Sequence, residues 1–429
     1  MLASMSRIFF IFTTLILLAS TSLVAEERCS SEALHKATEH ALAVQAHLLA
    51  VKVGDNGIDT EVTPSTQAEI RAFKTAMGAT TDAFMQCEPV FDEGVAEKVA
   101  GVERRLAKSL NANQKEEDSV DSNTPDSKTV DGIYGAGLRV KARELLRTPL
   151  TLAIQVNFGV DCGGDNVLLV YAWNQGRWQR VLLWQAPDYD TVGGAYGDFF
   201  EYQLIPHGGR EGWALSIAYG HPWCTSRWSG FDMDVLEPVE GQAVPRVLMH
   251  LNEGYVRDEV EPRMKLTPDG FELRLQVGTI ESGVMTRMGI YRYQLAGGIT
   301  QRVQPVAMNG RDFVDAWVQS PWSDASRWSV SQMRDSLEKE HAKVAGIRKL
   351  YDEKSDVLGV LDYGPVQRCS DEGNHFQMTL FAKKVIHSKD FELPTTYFQI
   401  EQGKNSFTML SASETADAHC GGGDLMASR

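Results

Sequence analysis

The sequence predicts a mainly β protein: repeated four-stranded antiparallel meanders, propeller-like or sandwich-like, with an N-terminal α-helical hairpin and a C-terminal α+β module. Three observations carry this. Short alternating segments between Gly, Pro and Asp turns run from residue 132 to 310 and contain a recurring pattern. Two stripes of helical period precede them, separated by a turn-rich break. Six cysteines fall two to each of the helical, β and C-terminal regions.

Residues 1–25 read as a signal peptide. Arg7 is the only charge before the apolar run IFFIFTTLILLAS, and Thr21-Ser22-Leu23-Val24-Ala25 then precedes the charged Glu26-Glu27-Arg28. That order is the pattern of a cleaved export signal, with the cut expected near Ala25. The run falls short of the ~20 apolar residues a spanning helix needs, and no later segment is long and apolar enough to cross a bilayer. The expected location is periplasmic or secreted. The chain carries −15, which becomes −16 once Arg7 leaves with the signal. Such a balance disfavours nucleic acid and anionic lipid surfaces as partners.

The region 26–110 is helical. Leu34, Ala37, Ala41, Val44, Leu48 and Val51 lie on one stripe; after the break GDNGIDTEVTP, Thr66-Gln67-Ala68-Glu69 reads as a capping box. Ile70, Phe73, Met77 and Phe84 follow at helical spacing. The resulting antiparallel hairpin brings Cys29 beside Cys87, a bridge worth ~4 kcal/mol in the chain-entropy model. A third helix is expected over 92–110. His35, Glu39, His40 and His47 on the first helix form no HExxH pattern and read as a solvated surface. Residues 111–131, NANQKEEDSVDSNTPDSKTVD, have the composition of a disordered, acidic and polar linker.

Within the β domain, 132–310, Arg-Val pairs at 180/181, 246/247 and 302/303 mark the last strand of each unit, 66 and then 56 residues apart. Working backwards, unit one is 137–144, 151–158, 167–173 and 178–184. Unit two is 199–206, 213–219, 230–236 and 246–251, and unit three is 261–267, 271–277, 288–295 and 301–307. The loop between strands two and three is GVDCGGDN in unit one and GHPWCTSRWSG in unit two. Cys162 and Cys224 thus occupy matching places, so a Cys162–Cys224 bridge is expected to staple the two units.

Residues 311–355 form a helical segment: Phe313, Val314 and Trp317 precede Pro321, and a charged amphipathic helix follows from about Ser329. Residues 356–429 return to strands, with TTYFQIEQGKNSFTMLSA as a hairpin turning at Gly403-Lys404-Asn405. Cys369 and Cys420 bracket this module as the third pair.

Chemical signatures are sparse. No GxSxG elbow, P-loop, Rossmann, CxxC or HExxH pattern is present, so no cofactor or metal is expected. His221 beside Cys224 does not suggest a thiol enzyme, because the cysteine has a disulfide partner in an oxidising compartment. The expected function is recognition of a glycan, peptide or protein by loops of the β domain, in an envelope binding or scaffold protein. Trp223, Arg227 and Trp228, with His221, Asp161 and Asp165, are its candidate residues, because aromatic faces beside Arg and Asp suit stacking on sugars or gripping peptides. The alternative is a carbohydrate-active hydrolase using paired carboxylates, Asp188 and Asp190. Asp232 and Asp234 alternate with Phe231 and Met233 and read as the outward face of a strand.

Overall fold

The computed structural model describes residues 31–51, 62–91, 94–113, 134–161, 163–189, 199–206, 212–222, 228–239, 244–256, 262–280, 286–296, 299–353, 360–369, 374–383 and 395–425. Cys29, Cys162 and Cys224 lie outside these residues, as do the expected signal peptide, Trp223, Arg227 and Asp190. The chain forms two compact units. The first is Met1–Phe200 with Tyr219–Ser226 and Leu236–Val247; the second is Glu201–Ala218 with Arg227–Val235 and Leu248–Arg429. No described helix is long and apolar enough to cross a membrane.

In the first unit, helices α1 (Ser31–Leu49) and α2 (Pro64–Cys87) form the expected hairpin, followed by α3 (Val95–Ser109). The start of α2 differs from expectation. Thr63 is the N-cap, its side chain accepting from Thr66 N at 3.2 Å, with Pro64 in the first turn. Proline suits that turn because the N–H it lacks would have no helical partner there. Thr66 lies inside the helix, so the capping box sits one turn too late in the sequence reading. Thr80 Oγ1 donates to Ala37 O at 3.0 Å and pins one helix to the other. Cys87 is disulfide-bonded.

Strands β1 (Arg139–Arg147), β2 (Leu150–Val160), β3 (Gly163–Asn174) and β4 (Arg177–Gln185) make a four-stranded meander in chain order. Helix α2 lies on this sheet: Phe73 meets Phe158 edge-on, their ring centroids 4.8 Å apart. The helices and first sheet are therefore one unit, although a composition break separates them in the sequence. Asn113, at the head of the expected linker, pairs with β1: its Oδ1 accepts from Val140 N at 2.8 Å, and its Nδ2 donates to Val140 O at 3.0 Å.

The second and third meanders comprise β5 (Phe200–Pro206), β6 (Trp213–Pro222), β7 (Trp228–Glu237), β8 (Arg246–Val256), β9 (Arg263–Thr267), β10 (Gly270–Gly278), β11 (Thr286–Ala296) and β12 (Ile299–Val303). They join as one eight-stranded sheet, ordered β12-β11-β10-β8-β7-β6-β5, with β9 beside β10. The join is the pair Val277↔Tyr255. All three expected meanders are present, and among the described strands no sheet closes on itself.

The C-terminal part of the second unit begins with α4 (Gly310–Gln319) and α5 (Trp322–Ala325), then two 3-10 turns (Ser326–Trp328 and Ser331–Met333) and α6 (Arg334–Glu353). Asn309 caps α4 by accepting from Asp312 N at 2.9 Å. A six-stranded sheet follows, formed by β13 (Val360–Tyr363), β14 (Gln367–Cys369), β15 (His375–Lys383), β16 (Thr396–Gln402), β17 (Phe407–Ser413) and β18 (Cys420–Gly421). Phe313 and Trp317 on α4 are fully buried against it, with Phe313 stacked on Phe407 at 5.4 Å. The Cys369–Cys420 disulfide forms as expected, across the β14–β18 pair.

Candidate ligand-binding cavity

A cavity of about 710 Å³ lies within the second unit, inside the range of small-molecule sites. Its wall is built by strand alternation. On β11, positions 287, 289, 291 and 293 share one face, which places Arg287, Tyr291 and Tyr293 together with Gly289 between them. A Cβ on Gly289 would stand 2.9 Å from Tyr291 Cε2 and 3.0 Å from Val277 Cγ2, so glycine makes room for the tyrosine ring. Arg302 on β12 pairs directly with Tyr293, and Thr300 lies two residues before it on the same face. Trp228, His250 and Glu253 contribute from β7 and β8; Ser320, Asp324 and Arg327 close the wall from the α4–α5 region.

The two buried arginines are held in different ways. Arg287 is 7 % exposed, and its Nε donates to Asp315 Oδ2 at 2.5 Å. Asp315 is itself 1 % exposed and accepts further bonds from Ile280 N, Tyr363 and Gln319. With its acceptors filled, this carboxylate fixes the orientation of Arg287 and balances its charge. Burial works against the Arg287 charge, but Asp315, Tyr291 and Asp312 together more than compensate and hold its pKa up. The outer Nη1 of Arg287 is buried and has no partner.

Arg302 is also 7 % exposed, but its contacts are neutral. Nη1 donates to Ser320 Oγ at 3.0 Å, and Nη2 makes a long 3.4 Å bond to Ile290 O. Its guanidinium lies over the Tyr291 ring at 4.4 Å and the Trp328 ring at 5.2 Å. Stacking of this kind occupies the faces of the cation and leaves its edge for hydrogen bonds. Its Nε is buried without a partner, and so is Thr300 Oγ1.

The acids of the cavity are Asp324 and Glu253. Asp324 stands 3.3 Å from Arg327. Burial pushes its carboxyl up, opposed by the Arg302 and Arg327 cations. Burial pushes the Tyr293 phenol up to about 12 and raises Tyr291 as well. Both rings therefore keep their protons near neutrality and remain available as donors. Among the described residues, no group of three or more His, Cys, Asp or Glu is placed to hold a metal ion.

Of the sequence candidates among the described residues, Trp228 alone is brought to this cavity, half-buried at its wall. His221 is buried and belongs to the first unit. Asp161 sits at the β2–β3 turn with φ +48°, next to the Val160↔Gly163 pair that closes a two-residue hairpin loop. Asp165 is fully buried in the first unit. Its Oδ2 stands 3.0 Å from Lys74 Nζ and accepts from Tyr189 at 2.8 Å, while Lys74 also donates to Ala186 O at 2.7 Å. Burial pushes the Asp165 carboxyl up, opposed by the Lys74 cation and the Tyr189 hydrogen bond. Asp188 makes a half-exposed pair with Arg71 at 3.3 Å. A smaller cavity of about 320 Å³ in the first unit is lined by Asp82, Tyr171 and Arg180. These three already satisfy one another: Asp82 accepts from Tyr171 at 2.7 Å and from Arg180 at 2.5 Å.

Arg287, Tyr291, Tyr293 and Arg302 escaped the sequence reading, although the signal was present. TRMGIYRYQ carries cationic and phenolic side chains at alternate positions of a strand flanked by others, where apolar residues are usual. No protein-family model matches the chain, and no curated protein matches it. What the fold and the cavity define is a β-rich protein with a polar, aromatic-lined hollow in its second unit.

Proposed function

We propose that this is an exported binding protein of the cell envelope or extracellular space, and that it recognises a glycan in the cavity of its second unit. One observation carries the reading: Arg287, Arg302 and Thr300 line a single cavity, and each holds a buried polar atom without a hydrogen-bond partner. An unmet buried donor costs ~1–3 kcal/mol, and a ligand rich in hydroxyl and carbonyl oxygens supplies the missing acceptors. Tyr291, Tyr293 and Trp228 offer ring faces for the apolar side of a pyranose.

The test is retention on immobilised glycans and peptidoglycan fragments. Arg287→Gln and Trp228→Ala are expected to weaken it about tenfold or more, as residues at the centre of a binding site do. If both variants lose stability alone and retention stays unchanged, the reading is wrong.

A second reading, glycoside hydrolysis, is supported by the presence in one cavity of Asp324, whose carboxyl burial pushes up, and of Glu253. Such chemistry uses a raised acid and a second carboxylate across one cleft. Turnover of chromogenic glycosides that Asp324→Asn abolishes would replace binding with catalysis. Asp188 and Asp190 lie apart from this pair in the chain, and Asp188 is engaged by Arg71.

A further inference from the structure

We infer that the ligand is an acidic sugar and that its carboxylate docks on the guanidinium of Arg302. This rests on the glycan reading above and narrows it to a substrate class. The two buried arginines differ in what they lack. Arg287 has its counter-ion in Asp315 and lacks only an acceptor for Nη1. Arg302 lacks the counter-ion itself. Its contacts are a hydroxyl, a carbonyl and two aromatic rings. Among the described residues, no carboxylate stands within ion-pair distance of it.

A guanidinium nine-tenths buried without an anion is costly, because neutral acceptors do not replace the hydration of a full charge. Here the cost is met in part by the Tyr291 and Trp328 rings and by the more distant Asp324, which the Arg302 and Arg327 cations share. A carboxylate suits a guanidinium better than a hydroxyl does, because charge-assisted bonds are about twice as strong as neutral ones.

The strand register separates the two arginines. Arg302 stands opposite Tyr293, six residues along β11 from Arg287. They therefore grip different parts of one ligand, the acid at Arg302 and a hydroxyl or carbonyl oxygen at Arg287. A uronic acid, or an amino sugar bearing a lactyl or similar carboxylate, presents both groups across one ring.

The experiment is a calorimetric titration of the full exported chain with glucuronic acid, its methyl ester and glucose. N-acetylmuramic acid and N-acetylglucosamine form a second set. The acids are expected to bind about tenfold to hundredfold more tightly than the ester and the neutral sugars. The preference should shrink with added salt and vanish in Arg302→Gln. The ester comparison needs no variant, so it holds even if Arg302→Gln does not fold. Equal binding of acid, ester and neutral sugar would overturn the acidic ligand and leave the glycan reading standing. Binding of none of them would overturn both.

Discussion

At the residue scale, two buried polar groups organise the units that contain them. In the second unit, His341 Nε2 lies 3.1 Å from Trp317 O and 3.0 Å from Ser320 O. Two carbonyl acceptors require that Nε2 carry a proton, so the ring closes the C-terminal end of α4 as a donor, and burial favours its neutral form. Ser320 in turn holds Arg302, which links His341 to the cavity wall. Burial pushes the His341 pKa below its usual 6.5. Between the folded value and 6.5 the unfolded chain binds more protons, so stability is complete above 6.5 and falls as the pH drops through that window. Denaturant melts from pH 7.5 to 5.5 should show this loss, and His341→Gln should flatten it; parallel slopes in the two proteins would exclude His341 as the source. In the first unit, Lys74→Met would strand the fully buried Asp165. Removing one member of a buried pair costs about 3–5 kcal/mol, readable as a lower denaturation midpoint. A change under 1 kcal/mol would mean that Asp165 is already protonated in the fold.

At the element scale, β11 carries the site and α4 supports it. Gly289 is the point of least tolerance on β11, because any side chain there meets both Tyr291 and Val277. Gly289→Ala is expected to cost about 1–3 kcal/mol as overpacking. It should also displace the ring on which Arg302 rests and so weaken ligand retention. Unchanged retention and an unchanged melting temperature would show that the ring moves freely. Helix α4 is anchored by Phe313 and Trp317, and Trp317 Nε1 donates to Ser329 Oγ at 2.9 Å. The Cys369–Cys420 bridge has a sequence separation of 51. Loss of the bridge in a Cys369→Ser, Cys420→Ser double variant should cost about 4 kcal/mol in the chain-entropy model; retained stability would show that sheet pairing alone holds β18.

At the scale of the whole molecule, most of the fold was legible and most of the site was not. The twelve strands of the three meanders follow the alternation of apolar residues between Gly, Pro and Asp turns, which is a local property of the chain. The helical hairpin follows from its stripe of Leu34, Ala41 and Leu48 for the same reason. Three features are not local. The docking of α2 on the first sheet depends on Lys74 meeting Asp165 and Phe73 meeting Phe158, partners 91 and 85 residues away. The merging of the second and third meanders turns on Val277↔Tyr255, which no pattern announces. The cavity needs Arg302 to reach Tyr291 and Ser320 together, from β12 to β11 and the end of α4. Sequence inspection favoured the conspicuous GHPWCTSRWSG loop because its rare residues are adjacent. The arginines and tyrosines of TRMGIYRYQ are spread by alternation and converge only in the folded sheet.

The central claim is that recognition takes place in the cavity of the second unit. Hydrogen–deuterium exchange of the full chain, with and without saturating peptidoglycan fragments, tests it most directly. The account predicts slowed exchange over Thr286–Val303 and residues 319–328, with no change in the β2–β3 turn around Asp161. Protection confined to other segments, or absent under conditions in which the fragments are bound, would contradict it.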